Sequence, residues 1–246
     1  MNPIVKDGIT STICSMVAST VVYPINAIKV EFQTQKDKTP VQVFKSLYKR
    51  KALYNGLRYN LTTYPVFWGV FFPIKNYFNL PKTNNPFLDK FLSVSISGSV
   101  ASFVANPLFV QQVRSVTGNH SSFTNMISKE GLLSPWKGYP STVFNNMKLC
   151  VQFPLYDYCQ QKLDNSLASS AIAKITANSV FYPLDLVRTK QRNSKNNLSL
   201  LRAFTGLYES YGFKGFYRGM LLYNAMSVPN FCLMMFFIEN IKPFLG

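Results

Sequence analysis

Acidic residues are scarce in this chain: ten Asp and Glu stand against 26 Lys and Arg in 246 residues, and charged residues of both signs make up only 15%. An average soluble chain carries about 25%, so charge is being kept out of much of the sequence. Histidine occurs once, at His120. Four cysteines in a chain this long make no disulfide framework, and Cys14, Cys150, Cys159 and Cys232 show no metal or redox spacing. They read as packing residues, and no metal site is expected. A Gly-rich phosphate loop is missing, and one His with few acids gives no nucleophilic or acid–base constellation. These gaps argue against an enzyme and imply no cofactor. What is plentiful is apolar surface: 47% of residues are hydrophobic and 15% aromatic, which excludes a disordered chain.

A net charge of +16 points either to a polyanion such as nucleic acid or to a membrane with anionic lipids. Placement decides between them. Residues 8–28, 91–113 and 219–238 are uncharged runs of 21, 23 and 20 residues, and a bilayer-spanning helix needs about 20 mostly apolar residues. Three further apolar stretches, 59–80, 139–163 and 167–187, contain one or a few ionisable residues each. Six spans are therefore expected. The opening Met1-Asn2-Pro3-Ile4-Val5-Lys6-Asp7 has neither the basic n-region of a secretory signal nor an Arg-rich presequence, so targeting information is expected to be internal.

The chain repeats itself. Tyr23-Pro24-Ile25-Asn26, Asn106-Pro107-Leu108-Phe109 and Tyr182-Pro183-Leu184-Asp185 close the first, third and fifth spans, 83 and 76 residues apart. Tyr54-Asn55-Gly56, Trp136-Lys137-Gly138 and Tyr217-Arg218-Gly219 follow them, with glycines spaced by 82 and 81. Each repeat reads as a Pro-kinked helix, a basic loop with a short amphipathic segment, and a Gly turn into a second helix. The fold class expected is an all-α membrane protein, with repeats at 1–82, 83–163 and 164–246 forming three helical hairpins. Loops 36–58, 114–139 and 188–218 hold 17 Lys and Arg against three acids, whereas the opposite side holds six Lys against four. Such a bias orients loops toward the compartment equivalent to the bacterial cytoplasm.

At these residues the sequence resembles the mitochondrial carrier family, over its whole length and in all three repeats. Repeat 3 matches the family signature at Pro183, Asp185, Arg188, Lys190, Gly212, Tyr217, Arg218 and Gly219; repeat 2 at Glu130-Gly131 and Trp136-Lys137-Gly138; repeat 1 at Lys29 and Gln33. The resemblance implies six transmembrane helices in three pseudo-threefold-related hairpins, with short amphipathic helices on the matrix side. It also implies the inner mitochondrial membrane, with both termini on the intermembrane-space side. The family's matrix gate, carried over, pairs Asn26 with Gln112, Phe109 with Arg188 and Asp185 with Lys29, braced by Gln33. Only the last is an ion pair, so the gate is expected to be weak. The opposite gate would pair Asp157 with Lys242, Asn76 with Gln160 and Glu239 with Asn79; Lys75 is a competing candidate for the basic place in the second helix.

Ionisable residues inside a span are costly unless they face water or a partner. Lys148 and Lys174 lie mid-span, Lys75 and Arg58 nearer the ends, and no acid lies at comparable depth. A cationic cavity selects an anion. Asn145 and Asn146 sit where the family places a substrate contact, and Asn and aromatic groups suit a base. The expected activity is alternating-access transport, most simply exchange, of a small anion, with a nucleotide or deoxynucleotide favoured and a carboxylate or phosphate as the nearest rival. A monomer touching membrane lipids, including cardiolipin, is expected, with no nucleic-acid partner. A basic nucleic-acid-binding module is the alternative from another class, and solubility without detergent separates the two.

Overall fold

The computed structural model describes residues 3–35, 38–77, 86–119, 122–196 and 198–241, and among them every regular element is helical. Six helices are long: α1 (Pro3–Thr34), α3 (Leu57–Tyr77), α4 (Pro86–Val116), α6 (Tyr139–Leu163), α7 (Ser166–Asn193) and α9 (Met220–Ile241). Three are short: α2 (Pro40–Lys49), α5 (Phe123–Glu130) and α8 (Leu200–Tyr211). Each short helix has a narrow apolar face, Val43 and Leu47 in α2, Met126 in α5, Ala203 and Leu207 in α8, and these are the residues it buries. Thr39 starts α2 with a reciprocal capping box to Gln42, and Ser199 starts α8 by accepting from the Arg202 amide.

The long helices pack in a ring, in the order α1, α3, α4, α6, α7, α9 and back to α1. α1, α4 and α7 also touch one another across the axis. They carry Pro24, Pro107 and Pro183, each of which removes one backbone hydrogen bond and lets its helix bend toward the axis.

One link recurs in every repeat. The side chain before each of these prolines reaches the carbonyl before the glycine of the turn: Tyr23 Oη donates to Asn55 O at 2.8 Å, Asn106 Nδ2 to Lys137 O at 3.3 Å, and Tyr182 Oη to Arg218 O. The glycines after those carbonyls are left-handed, Gly56 at φ 84, Gly138 at φ 76 and Gly219 at φ 87. A Cβ on Gly56 would lie 2.9 Å from both Gln112 O and Tyr23 Oη, and one on Gly138 would lie 3.2 Å from Arg188 O. The turns therefore need glycine twice over, for conformation and for close approach to the next repeat.

Polar residues are buried alongside the apolar clusters, and apolar side chains also face outward. Ser15, Ser19, Asn60, Thr63, Asn106, Asn145, Lys148, Asn178 and Asp185 are buried, while Ile13, Val17 and Val21 on α1 and Phe144, Met147 and Val151 on α6 are exposed at helical spacing. Similar apolar residues face outward on α4 and α7, forming contiguous stripes rather than scattered positions. Inward polar residues lower the hydropathy of each helix. By length and composition, Phe91–Val116 in α4 reaches the level of a membrane crossing among the residues whose side chains are described, which take in only parts of the runs 8–28 and 219–238.

Replacing Gly56 with Ala is expected to cost about 1–3 kcal/mol through the strained φ and the displaced neighbours. Gly69, within α3, has no atom within 4 Å of a Cβ, so Gly69→Ala is expected to be neutral or stabilising by up to about 1 kcal/mol. Thermal unfolding of the detergent-solubilised variants measures both.

Candidate functional site

The ring is closed at the end where α1, α4 and α7 converge. Lys29 Nζ lies 3.3 Å from Asp185 Oδ2 across the α1–α7 contact, and Arg188 Nη2 donates to Asp185 Oδ1 from one turn further along α7. Gln33 Nε2 donates to Tyr182 Oη at 3.1 Å beside this cluster. Lys29 and Lys148 also approach the ring of Tyr223 on α9, at 4.8 and 5.0 Å from its centroid.

Two of the expected gate contacts are replaced. Phe109 meets Arg192, whose guanidinium lies 4.5 Å from the ring centroid, whereas Arg188 turns to the carboxylate of its own helix. The reason is electrostatic: Asp185 outcompetes a ring face for a cation. Gln112 lies near the Tyr23 hydroxyl, which donates to Asn55 O, and no hydrogen bond joins Gln112 to Asn26 among the described residues.

A second tier of pairs, not expected from the sequence, lies outside this cluster. Seven residues after the three prolines stand Glu31, Arg114 and Lys190. Arg114 makes a bidentate pair with Glu130 at 2.9 and 2.7 Å, and Lys137 joins it at 2.6 Å. Repeat 1 reverses the signs, with Glu31 accepting from Arg50 at 2.8 Å. In repeat 3 an aromatic ring replaces the acid: Lys190 and Arg218 lie 5.5 and 5.1 Å from the centroid of Tyr211. Arg50, Glu130 and Tyr211 each precede a residue with positive φ, Lys51, Gly131 and Gly212, so they occupy one equivalent place. Aligning the repeats on Pro reveals the reversal; reading each motif alone hides it.

Burial by itself raises the Glu130 carboxyl, but the hydrogen bonds and charges of Arg114 and Lys137 outweigh it and hold the pKa below its ordinary 4.5. The stabilisation is complete above that value and fades as acid protonates the group. Arg114 and Lys137 also donate to the carbonyl of Ser194, at 3.1 and 3.2 Å, placing cations against the negative end of α7.

Above the closed end lies a cavity of about 240 Å³ between α3, α4, α6 and α7. Its floor is formed by Asn60, Phe109, Thr142 and Arg188, its middle by Thr63, Tyr64, Ser102, Asn145 and Asn146, and its upper part by Phe67, Trp68, Lys148 and Leu149. Lys148 is 7% exposed, and its Nζ donates to the neutral Tyr223 hydroxyl at 2.6 Å. Asn146 Nδ2 is used in a bond to Ser102 Oγ at 3.0 Å, whereas Asn145 Oδ1 and the Trp68 indole N–H are buried without a partner. Trp68 was not singled out by its sequence context; an aromatic residue one turn beyond Tyr64 gives only a packing signal.

The other expected site residues stand elsewhere. Lys174 donates to Gln152 Oε1 at 3.0 Å and lies over Phe231, away from the cavity lining. Arg58 is exposed and folds onto Tyr59, its Nη2 at 2.9 Å from Oη, because position 58 points outward where 60, 63, 64 and 67 point in. Lys75 sits near the end of α3 beyond the lining, its carbonyl accepting from Ser93 Oγ at 3.4 Å. Of the opposite gate, Asp157 is exposed and Gln160 half-buried on α6. Asn79 and Lys242, and the side chains of Asn76 and Glu239, lie outside the described residues.

A ring of helices with a polar, cationic interior, an apolar exterior and one end closed by an ion pair is the architecture of a solute carrier. The chain belongs to the mitochondrial carrier protein family, which matches residues 1–80, 83–166 and 160–246. It is 26% identical to the mitochondrial substrate carrier family protein W of Dictyostelium discoideum, covering 93% of this chain and 83% of that one. It is 23% identical to the mitochondrial FAD carrier protein of Saccharomyces cerevisiae, covering 98% and 97%, and 22% identical to a probable mitochondrial 2-oxoglutarate/malate carrier protein of Dictyostelium discoideum, covering 96% and 89%. Members of the family are transporters.

The reversed pair in repeat 1 predicts a charge-swap rescue. Glu31→Lys is expected to destabilise the protein by about 1–3 kcal/mol, less than breaking a fully buried pair; the Arg50 side chain is 44% exposed. Adding Arg50→Glu is expected to recover most of the loss. A double-mutant cycle on unfolding temperature shows whether the two residues are coupled.

Proposed function

We propose that this protein carries a nucleotide-type anion across the inner mitochondrial membrane by alternating access, most simply by exchange. The observation that carries the reading is Lys148: a buried ammonium on a cavity wall whose hydrogen bond among the described residues is to a neutral phenol, with the rings of Phe67, Trp68 and Tyr64 lining the same cavity. A buried cation without a carboxylate is costly, and an entering anion relieves that cost. The aromatic side accepts a flat heterocycle by stacking, while the free Trp68 donor and Asn145 acceptor suit the edge of a base. The likeness to a FAD carrier supports this class of ligand, and the likeness to a 2-oxoglutarate/malate carrier makes a carboxylate the rival.

The outward apolar stripes support six spans with the basic loops in the matrix and both termini on the other side. The basic loops suit cardiolipin headgroups, and a cavity built within one chain suits a monomer. With Lys29–Asp185 formed, access is from the intermembrane-space side, and opening that pair delivers the ligand to the matrix. Lys174 adds positive potential behind Lys148 without lining the cavity.

Liposomes holding the purified protein and preloaded with nucleotides, dinucleotides, carboxylates or phosphate test this reading. Saturable nucleotide uptake is expected, reduced about tenfold or more by Lys148→Gln. Uptake of carboxylate alone would keep the carrier and discard the nucleotide. Asp185→Lys, which sets like charges against each other at the closed end, is expected to abolish exchange; unchanged exchange would remove the gate assignment.

A further inference from the structure

The floor of the cavity holds more positive charge than its carboxylate neutralises. Lys29 and Arg188 share Asp185. One turn along α7, Arg192 is 5% exposed, and its contacts are neutral: Asn106 Oδ1 at 3.2 Å, Thr142 Oγ1 at 3.0 Å and the face of Phe109. The Nε groups of Arg188 and Arg192 are both buried without a hydrogen-bond acceptor among the described residues. A guanidinium has five donors and is costly to bury with any of them unmet. Arg188, Phe109 and Thr142 line the cavity, so a ligand reaches Arg188 from above; Arg192 is outside the lining and touches Phe109 and Thr142.

Internal symmetry identifies what is missing. Two residues after its proline, repeat 3 has Asp185 and repeat 1 has Asn26, whereas repeat 2 has Phe109. Repeat 2 thus brings no oxygen to the place where a neighbouring helix presents a cation, and Arg188 falls back on its own helix.

We propose that Arg188, with Arg192 adding positive charge beneath it, forms an anion subsite at the cavity floor, where a phosphate or diphosphate of the transported molecule stands in for the carboxylate that Phe109 lacks. This rests on the anion-carrier reading and extends it by giving the ligand a second pole. Lys148 lies six residues beyond Thr142 on α6, about 9 Å at 1.5 Å per residue. A ligand with a ring among Phe67 and Trp68 and an anionic end at the floor spans that distance. The bound anion accepts from Arg188 in place of Asp185, which leaves the Lys29–Asp185 pair between α1 and α7 in place.

Thermal unfolding of the full-length protein in nanodiscs, with inorganic pyrophosphate as probe at constant ionic strength, tests the subsite. Wild type is expected to unfold at higher temperature with the probe. Phe109→Glu supplies the carboxylate permanently, so it is expected to be more stable without probe and to lose the probe-induced shift, whereas Phe109→Leu keeps the shift. If Phe109→Glu fails to fold, Arg188→Gln carries the test, with an expected loss of about tenfold or more in apparent probe affinity. No shift in wild type, or a full shift in both Phe109→Glu and Arg188→Gln, overturns the proposal. A shift lost only with Lys148→Gln also overturns it, by placing the anion higher in the cavity. A shift that depends on Phe109 and Arg188 in a protein that takes up no nucleotide keeps the subsite and removes the nucleotide reading.

Discussion

A single buried carboxylate organises the closed end of this molecule. Asp185 is fully buried, and Lys29, Arg188, Arg192 and Lys148 all lie within the same interior. Low-dielectric surroundings make such an excess of one sign expensive unless the cations are spread out, paired or shielded by polarizable groups. Each device is present: Lys29 and Arg188 take the two carboxylate oxygens, Arg192 stacks on Phe109, and Lys148 uses the Tyr223 hydroxyl. The convergence of α1 and α7 depends on this arrangement, and so does the position of the cavity above it.

Threefold architecture does not require threefold chemistry. The link from the residue before Pro to the carbonyl before Gly is kept in all repeats, although the donor is a phenol twice and an amide once. A backbone carbonyl is a fixed acceptor, so any donor of sufficient reach satisfies it. The outer pairs vary more freely. Repeat 1 exchanges acid and base, and repeat 3 lets a tyrosine ring serve two cations that in repeat 2 share a carboxylate. Repeat 1 also has Asn55 where the others have Lys137 and Arg218, so its acid on α1 faces one base and needs no second. The changes within each repeat offset one another.

The parts of the fold legible in the sequence were those fixed by spacing. Pro24, Pro107 and Pro183, with Gly56, Gly138 and Gly219, mark helix bends and tight turns whose geometry admits few other residues. Lys29 and Asp185 were paired by the resemblance to the family's gate, whose residues lie at set offsets from those prolines. What depends on competition between partners was not legible. Arg188 had a nearer carboxylate than the expected ring, and Arg192 took that ring instead. Glu31 and Arg50 were hidden because motif matching looks for a base where Glu31 stands. Lys174 and Lys148 share a depth in the sequence, but helix rotation sends one toward Gln152 and the other to the cavity. The 3.6-residue period predicts such facing only when the axis of the ring is already known.

Ring closure has a consequence for how the chain is made. α1 completes its packing against α9 and α7, and Gln33 reaches Tyr182, 149 residues later in the sequence. Synthesis runs from the N-terminus, so the first hairpin is finished long before its partners in repeat 3 exist. During that interval Glu31 already has Arg50, but Lys29 and Gln33 have yet to meet Asp185 and Tyr182. Contacts this distant in sequence also form slowly once the chain is complete. The first hairpin therefore carries polar groups whose partners come last in the chain.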